Sequence, residues 1–412
     1  MDRVIFHIDV NSAYLSWEAS YALSHGEKLD YRTIPSIVGG DRASRKGIVL
    51  AKSIPAKRYG IFTGESIYSA LNKYPNLLII PPHYERYVIA SDAMINLIED
   101  YTFKIQRFSI DEVFADMSIY KNEYLKIAKE LSEKINKELG FTVNIGIGDN
   151  KLLAKMASDF EKPNKIHTLF RREIEEKMWN LDVGKLYMVG RRTRKKLNDR
   201  GIKTIGDLAN VDFHYMSNWL KKPGLQILKF ANGIEDSEVL TEKEELKSVG
   251  NSSTTAFDVY SFIEAERFIL GICEMVGIRL RKLQMCGQVI SLYIRNFDFE
   301  SMRKQRKLFT PTDSTKRIFE VAMILFKEIW AGEAIRGFGV SVSELTSKKE
   351  IQLSMFEQFS EKDQNLNKSI DAIRNSFGTK AIERSTFLRS GISSVIGGVK
   401  EDVEYPMMRS EL

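Results

Sequence analysis

The sequence contains only two cysteines, Cys273 and Cys286, and no C-x-x-C, which excludes a disulfide framework and a thiolate zinc cage. Its five histidines (His7, His25, His83, His167, His214) are scattered without metal-ligand spacing. No apolar run approaches the roughly 20 residues needed to cross a bilayer. Asp2 and Arg3 interrupt the apolar stretch at the start, so no leader peptide is expected either. Internal repeats and low-complexity segments are also missing. These absences lead to the expectation of a reduced, cytoplasmic protein with no membrane association.

What is present is an ordinary globular composition, 43% apolar and 28% charged, over 412 residues. That length exceeds the roughly 100–200 residues of one domain, so several units are expected. The net charge of +6 is modest, and its distribution says more. Eight lysines and arginines between Lys185 and Lys203 face one acid, Asp199. A second basic stretch runs from Arg279 to Arg317 and includes Arg303, Lys304, Arg306 and Lys307. Two separated basic stretches in a mixed chain point to two contacts with a polyanion. Solvated helix faces are the alternative.

Val4–Val10 is a β-branched apolar run that predicts a buried strand ending on Asp9 and Asn11. Ser12–Leu23 has helical spacing. Short strands are predicted within 36–54 and over Leu77–Ile80, with a helix near Pro55–Tyr59. Ile105–Met117 reads as a hairpin turning near Ser109–Asp111. Tyr87–Glu99, Tyr124–Glu138 and Lys151–Phe160 read as helices, the last stopping before Lys162-Pro163. Thr142–Ile147 reads as a strand. Strands and helices alternate irregularly around one hairpin, which predicts an α+β sheet. Short helices fill Glu173–Glu235, a charged linker follows at Thr241–Lys247, and strand and helix signals return over Val249–Glu344. After Ser347 the apolar periodicity thins, which predicts a weakly packed tail.

The acids carry the chemistry. Asp9 stands near the end of the first strand, and Asp111-Glu112 lies within Phe108-Ser109-Ile110-Asp111-Glu112-Val113-Phe114. Adjacent strand side chains point to opposite faces, so Asp111 and Glu112 converge only where a turn breaks the alternation. Mg²⁺ takes hard oxygen ligands, commonly one or two carboxylates with substrate phosphates. A pair of such ions about 3.5–4 Å apart activates an attacking oxygen and stabilises a leaving one. Three carboxylates from separate strands would suit this use. Turn capping at a solvated sheet edge is the plainer alternative.

Three blocks, taken in order, resemble a known family. They are Ile8-Asp9-Val10-Asn11-Ser12-Ala13-Tyr14, the Ser109-Ile110-Asp111-Glu112 block, and Asn144–Asp159 with its continuation through Lys162-Pro163-Asn164. Together they resemble the Y-family (translesion) DNA polymerases, in their bacterial polymerase IV and UmuC-like branch. The resemblance covers roughly residues 1–345.

It implies a right-hand fold: palm at 1–17 and 79–165, fingers at 18–78, a helical thumb at 166–235, a linker at 236–246, and a little finger at 247–345. A tail with a clamp-binding peptide completes the chain at 346–412. The resemblance further implies two Mg²⁺ ions held by Asp9, Asp111, Glu112 and the Val10 carbonyl, with Asp9, Asp111 and Glu112 catalytic. Tyr14 would be the bulky gate beneath the sugar, and Lys162 would reach the triphosphate. Where many relatives carry Tyr and Arg as triphosphate contacts, this chain has Ile54 and Lys57. Lys57 supplies a point charge without arginine's bidentate fork, and Lys52 or Arg58 are possible substitutes.

Leu186–Leu197 with Gly201–Leu208 resembles a helix-hairpin-helix, which holds a phosphate on backbone N–H groups without reading bases. Gly190, Arg191, Arg192 and Arg194 would contact DNA there, as would Arg303, Lys304 and Arg306 in the little finger. Met188 stands where a hairpin glycine is often found, and Val189-Gly190-Arg191-Arg192 is closer to the UmuC-like branch. Gln352, Leu353, Met355 and Phe356 resemble the peptide that docks on the bacterial sliding clamp.

The implied partners are primer-template DNA, dNTP and that clamp, with the chain as a monomer. The implied reaction is template-directed, error-prone translesion synthesis. No second cluster of acids points to a proofreading nuclease. A nucleotidyl cyclase and a non-catalytic DNA- and clamp-binding factor are the competing readings.

Overall fold

A computed structural model describes residues 3–40, 47–241, 246–348, 361–379 and 381–396. The chain divides into two compact units. The first holds Val49–Lys243 with the N-terminal residues to Gly39, and the second holds Glu244–Val403.

The first unit opens with β1 (Ile5–Val10), α1 (Ala13–Ser24), β2 (Ser36–Gly39), β3 (Val49–Lys52), α2 (Ile54–Arg58), α3 (Ile67–Lys73) and β4 (Leu78–Ile80). Then come α4 (Tyr84–Glu99), β5 (Ile105–Arg107), β6 (Glu112–Asp116), α5 (Tyr124–Leu139), β7 (Val143–Gly148), α6 (Lys151–Ser158) and β8 (Ile166–Leu169). All six residues of β1 are buried, as its apolar run requires, and it forms the centre of a five-stranded sheet ordered β5-β6-β1-β7-β8. Only β7 and β8 pair in parallel there. Helix α6 lies directly on β7, and a Cβ on Gly146 would stand 1.9 Å from the Ala154 carbonyl oxygen. Glycine at that position therefore sets how closely helix and sheet approach. A smaller sheet, β3-β2-β4, packs Ile37 and Val49 with Ala56, Ile67 and Ala70 of the adjoining helices.

Helices α7 (Ile174–Lys177), α8 (Arg191–Asn198), α9 (Ile205–Ala209) and α10 (Phe213–Ala231) complete the first unit. Their core joins Leu186, Val189, Leu197, Ile205 and Leu208. The backbone of α10 breaks at Lys221, two residues before Pro223, where the proline ring disfavours continuous helix.

The second unit contains β9 (Ser248–Val259), α11 (Phe262–Lys282), β10 (Met285–Asn296), β11 (Ser301–Thr312), α12 (Thr315–Ile329), β12 (Ile335–Ser347) and α13 (Glu361–Phe377). Its antiparallel sheet is ordered β11-β10-β12-β9. Ile290, Leu292, Ile294, Phe338, Val340 and Val342 alternate onto one face and bury against α11 and α12.

The expectation of a weakly packed tail fails for 361–379 and 381–396. Phe387, Ile392 and Ile396 join the core of this unit, and Asn251 Nδ2 donates to the Ile396 carbonyl (2.8 Å). Burial of those apolar side chains outweighs the thin periodicity of the segment.

Candidate active site

Strand register places the first two acids. Asp9 of β1 pairs directly with Glu112 of β6, and opposed residues hold their Cβ atoms about 4.5–5.5 Å apart. A turn supplies the third. Ser109 Oγ accepts from the Glu112 amide (3.0 Å) and donates to Asp111 Oδ1 (2.6 Å), while the Val10 amide donates to the Asp111 carbonyl (3.0 Å). This turn breaks the alternation that would send Asp111 and Glu112 to opposite faces. Asp9, Val10, Asp111 and Glu112 thus share one end of β1 and β6.

Two lysines answer these charges. Lys162 Nζ pairs with both Asp9 and Asp159, the latter at 2.8 Å, and Lys155 Nζ donates to Glu112 Oε1 (2.7 Å). Burial, reinforced by the Glu112 and Asp111 charges, pushes the Asp9 carboxyl up to about 7 despite the pull of Lys162. Burial also raises Glu112, with Lys155 opposing. Burial works against the Lys162 charge, yet Asp9 and Asp159 hold that ammonium above its usual range.

Among the described residues, no three His, Cys, Asp or Glu side chains converge closely enough to hold a metal ion as they stand. The expected convergence is replaced by the contacts of Lys162, Lys155 and Ser109 with the three acids. The donor set still fits Mg²⁺. It consists of hard oxygens, and its mutual repulsion, visible in the raised Asp9, is of the kind a divalent ion offsets.

Lys162 sits on Asp9 because two asparagines pin its loop. Asn144 Nδ2 donates to the Ser158 (3.0 Å) and Glu161 (2.7 Å) carbonyls, and Asn11 Oδ1 accepts from the Asn164 amide (2.8 Å). Beneath the acids lies His7, fully buried. Ser158 donates its hydroxyl to the Lys155 carbonyl (2.8 Å), so it accepts from His7 Nδ1 (2.8 Å). His7 Nε2 then carries a lone pair and stands 3.9 Å from Glu112 Oε1. Burial, then Lys155 and Lys162, depress His7 well below the usual histidine range and keep it neutral.

Sequence reasoning did not single out His7, Lys155, Asn11 or Asn144. The signals in the sequence were the i, i+2 spacing that puts His7 and Asp9 on the same face of β1, and the place of Asn11, Asn144 and Lys155 inside the blocks that carry the resemblance.

Tyr14, half-buried on α1, stacks on Tyr87 of α4 with ring centroids 4.7 Å apart. Lys57 is exposed on α2, as are Ile54 and Arg58. Burial, followed by the Lys57 charge, lowers Lys52 on the adjoining strand β3, so the two ammoniums act on each other.

In the helical region Met188 has φ +67°, the left-handed conformation that favours the glycine expected there. Gly190 caps α8 without a side-chain hydrogen bond, and Arg191 and Arg192 are exposed beside it. Arg194 pairs with Asp182 (2.6 Å).

The second basic stretch divides by environment. Arg281 is buried and pairs with Asp371 (2.5 Å), which makes it part of the core. Lys304 (2.9 Å) and Arg306 (2.5 Å) lie on Glu328 of α12, and Lys307 on Glu344 (2.5 Å). Arg303 is exposed on β11, at the edge of the sheet. Gln352, Leu353, Met355 and Phe356 lie outside the described residues.

The impB/mucB/samB family matches residues 8–159, its C-terminal domain residues 246–355, and the IMS family HHH motif residues 171–202. A solved Y-family DNA polymerase chimera shares the fold, with a TM-score of 0.73 at 20% identity over 84% of this chain and 99% of that one. DNA polymerase IV of Clostridium acetobutylicum is 44% identical over 391 residues, 94% of this chain and 99% of that protein. The chain belongs to the Y-family DNA polymerases. DNA polymerase IV 1 of Bacillus subtilis is 34% identical over 96% of this Y-family chain and 95% of its own length. Both relatives carry the polymerase IV name. Among the described residues no helix is long and apolar enough to cross a membrane.

Proposed function

We propose that the chain carries out template-directed, error-prone translesion DNA synthesis, transferring a nucleotide from dNTP to a primer 3′-hydroxyl with release of pyrophosphate. The observation that carries this reading is the placement of Asp9 opposite Glu112, with Asp111 on the adjoining turn. Asp9, Asp111, Glu112 and the Val10 carbonyl would hold two Mg²⁺ ions. Bound there, the metal supplies charge stabilisation to the attacking and leaving oxygens. The chain's own residues do the rest. Lys162 and the Lys52–Lys57 pair bring positive charge to the triphosphate. The Tyr14 ring leaves no room for a 2′-hydroxyl. The uncapped N-terminus of α8, with Gly190, Arg191 and Arg192, receives a DNA phosphate, and Arg194 adds charge beside it. Arg303, Lys304 and Arg306 follow the duplex backbone along β11.

In this reading the five-stranded sheet is the palm, extended to Leu169 because β8 belongs to it. The β3-β2-β4 sheet and its helices are the fingers, residues 171–235 the thumb, and the second unit the little finger. Gln352, Leu353, Met355 and Phe356 dock on the sliding clamp, and the protein acts as a cytoplasmic monomer.

The test is primer extension with dNTPs and Mg²⁺ on an intact template and on one carrying a damaged base. Template-complementary addition on the first and continued synthesis past the second are expected. No extension on either, or cyclic nucleotide formed from NTP alone, overturns the reading.

A further inference from the structure

One of the buried carboxylates without a task in the proposed reaction lies beside Tyr14. Glu18 lies four residues after Tyr14 on α1, on the same helical face, and its side chain is 3% exposed. It accepts from the Tyr87 hydroxyl (2.7 Å), the His83 amide (3.1 Å), His83 Nδ1 (2.9 Å) and an Arg86 guanidinium nitrogen (3.0 Å). Tyr87 is fully buried, and its ring is the one on which Tyr14 stacks, with 17° between the planes. Trp17 (6.0 Å) and Tyr84 (6.3 Å) close the sides of that stack.

The backbone at the start of α1 is tied down, since the Asn11 amide donates to the Thr142 carbonyl (3.0 Å) and the Ser16 hydroxyl to the Asn11 carbonyl (2.5 Å). The N-cap, Ser12, makes no side-chain capping bond. Tyr14 also packs against the cluster of Leu15, Val38, Ala51 and Ile80, and Tyr87 is the face on which its ring stacks. An aromatic stack alone resists sliding weakly, whereas a hydroxyl bonded to an ionised carboxylate is a short, strong anchor. His83 shares Oε1 of that carboxylate with Tyr87, Arg86 holds the other oxygen, Oε2, and the Arg86 guanidinium in turn lies over the Tyr21 ring at 3.8 Å. Glu18 is thus braced and cannot simply follow Tyr87.

We infer that Glu18 is a positioning residue for sugar selection. Through the Tyr87 hydroxyl it fixes the platform under Tyr14, and so the room left for a 2′-hydroxyl. This rests on the reading of Tyr14 as the sugar gate. A gate that excludes one oxygen atom works by steric overlap, so a small displacement of its ring is enough to weaken it.

The experiment compares single-nucleotide insertion of a ribonucleotide and the matching deoxynucleotide by the full chain and by Glu18→Gln, Tyr87→Phe and Tyr14→Ala. The quantity read is the ratio of the two kcat/KM values. A ratio is indifferent to the fraction of protein folded, so a merely structural role for Glu18 would not move it. Tyr87→Phe keeps the ring and removes only the hydroxyl, which keeps the test open should Glu18→Gln fold poorly.

The expected result is a leaky Tyr14→Ala, with discrimination lowered roughly tenfold in Glu18→Gln and Tyr87→Phe, less than the roughly hundredfold that a full 1 Å misplacement in a site can cost. The effect on deoxynucleotide use should be smaller. Glu18→Gln weakens that bond and Tyr87→Phe removes it, so adding Glu18→Gln to Tyr87→Phe should cost little more discrimination than Tyr87→Phe alone. Unchanged discrimination in Glu18→Gln and Tyr87→Phe beside a leaky Tyr14→Ala overturns the inference and leaves the gate standing. A Tyr14→Ala that still rejects ribonucleotides overturns the gate reading, and this inference with it.

Discussion

Replacing Arg374 by Met tests how the C-terminal segment is held. Glu274 of α11 accepts from Arg374 of α13 (2.8 Å) and from Arg384 (2.6 Å). In the first pair the side chains are 4% and 5% exposed, so their charges have almost no water to fall back on. Removing one partner of a buried pair costs about 3–5 kcal/mol, because the other charge is left uncompensated. Arg384 is 39% exposed and still offsets part of the Glu274 charge, which places the expected cost near the lower end, about 3 kcal/mol. In a unit of this size each kcal/mol moves the melting temperature by roughly 2–4 °C. Arg374→Met should therefore lower the transition that carries the second unit by roughly 6–12 °C. Calorimetric melting of the full chain reads this directly, with Lys368→Met, an exposed position on the same helix, as the control. A shift no larger than that of the control would refute the reasoning, and α13 would then be held by its other contacts, the Arg281–Asp371 pair among them.

Three further outcomes follow from the same geometry. Asp9 is raised from 3.8 to about 7, so in chelator it adds stability below pH 4 that is lost as pH rises through 7; Asp9→Asn should melt above the parent at pH 8 and lose that advantage at low pH, whereas a pH-independent difference would contradict the burial argument. Neutralising Arg303, Lys304, Arg306 and Lys307 together should reduce the salt dependence of DNA binding, by roughly 0.9 in the log–log slope for each phosphate that is no longer neutralised. Arg303→Ala should account for more of that change than Lys304→Ala, whose ammonium is already engaged by Glu328, and an unchanged slope would put this edge in solvent. Leu353→Ala with Phe356→Ala should leave single-nucleotide insertion intact and remove stimulation by a loaded clamp, since buried anchors of this kind commonly contribute about 2 kcal/mol or more, roughly thirtyfold in affinity; a double variant stimulated like the parent would place the clamp contact elsewhere.

The elements that carry the acids were legible because each has a strong local signature. β1 is a mostly apolar run broken only by His7 and Asp9, the hairpin over 105–116 contains its serine turn, and α6 follows a glycine-containing strand. Other parts had no such signature. β11 reads Met302-Arg303-Lys304-Gln305-Arg306-Lys307, with no apolar alternation, and it is a strand because β10 pairs with it. α13 buries Asn367 and Arg374, so its inward face is polar and an apolar period does not mark it. Within the site, the motif residues were foreseeable by resemblance. The lysine contacts on Asp9 and Glu112 were not, since they join residues 153 and 43 positions apart. Arg281 shows the opposite failure. Its charge placed it among presumed surface contacts, while Asp371, ninety residues away, draws it into the core.

The most direct measurement of the central claim is Mg²⁺-dependent primer extension by the full chain and by Asp111→Ala, run beside primer-template binding under the same salt. Asp111 stands on the turn next to Glu112, and its side chain accepts from the Ser109 hydroxyl. Its replacement should remove the carboxylate while leaving the hairpin and the basic surfaces in place. The parent should extend the primer and Asp111→Ala should not, with binding nearly equal. Full extension by Asp111→Ala would contradict the assignment of these carboxylates to the reaction.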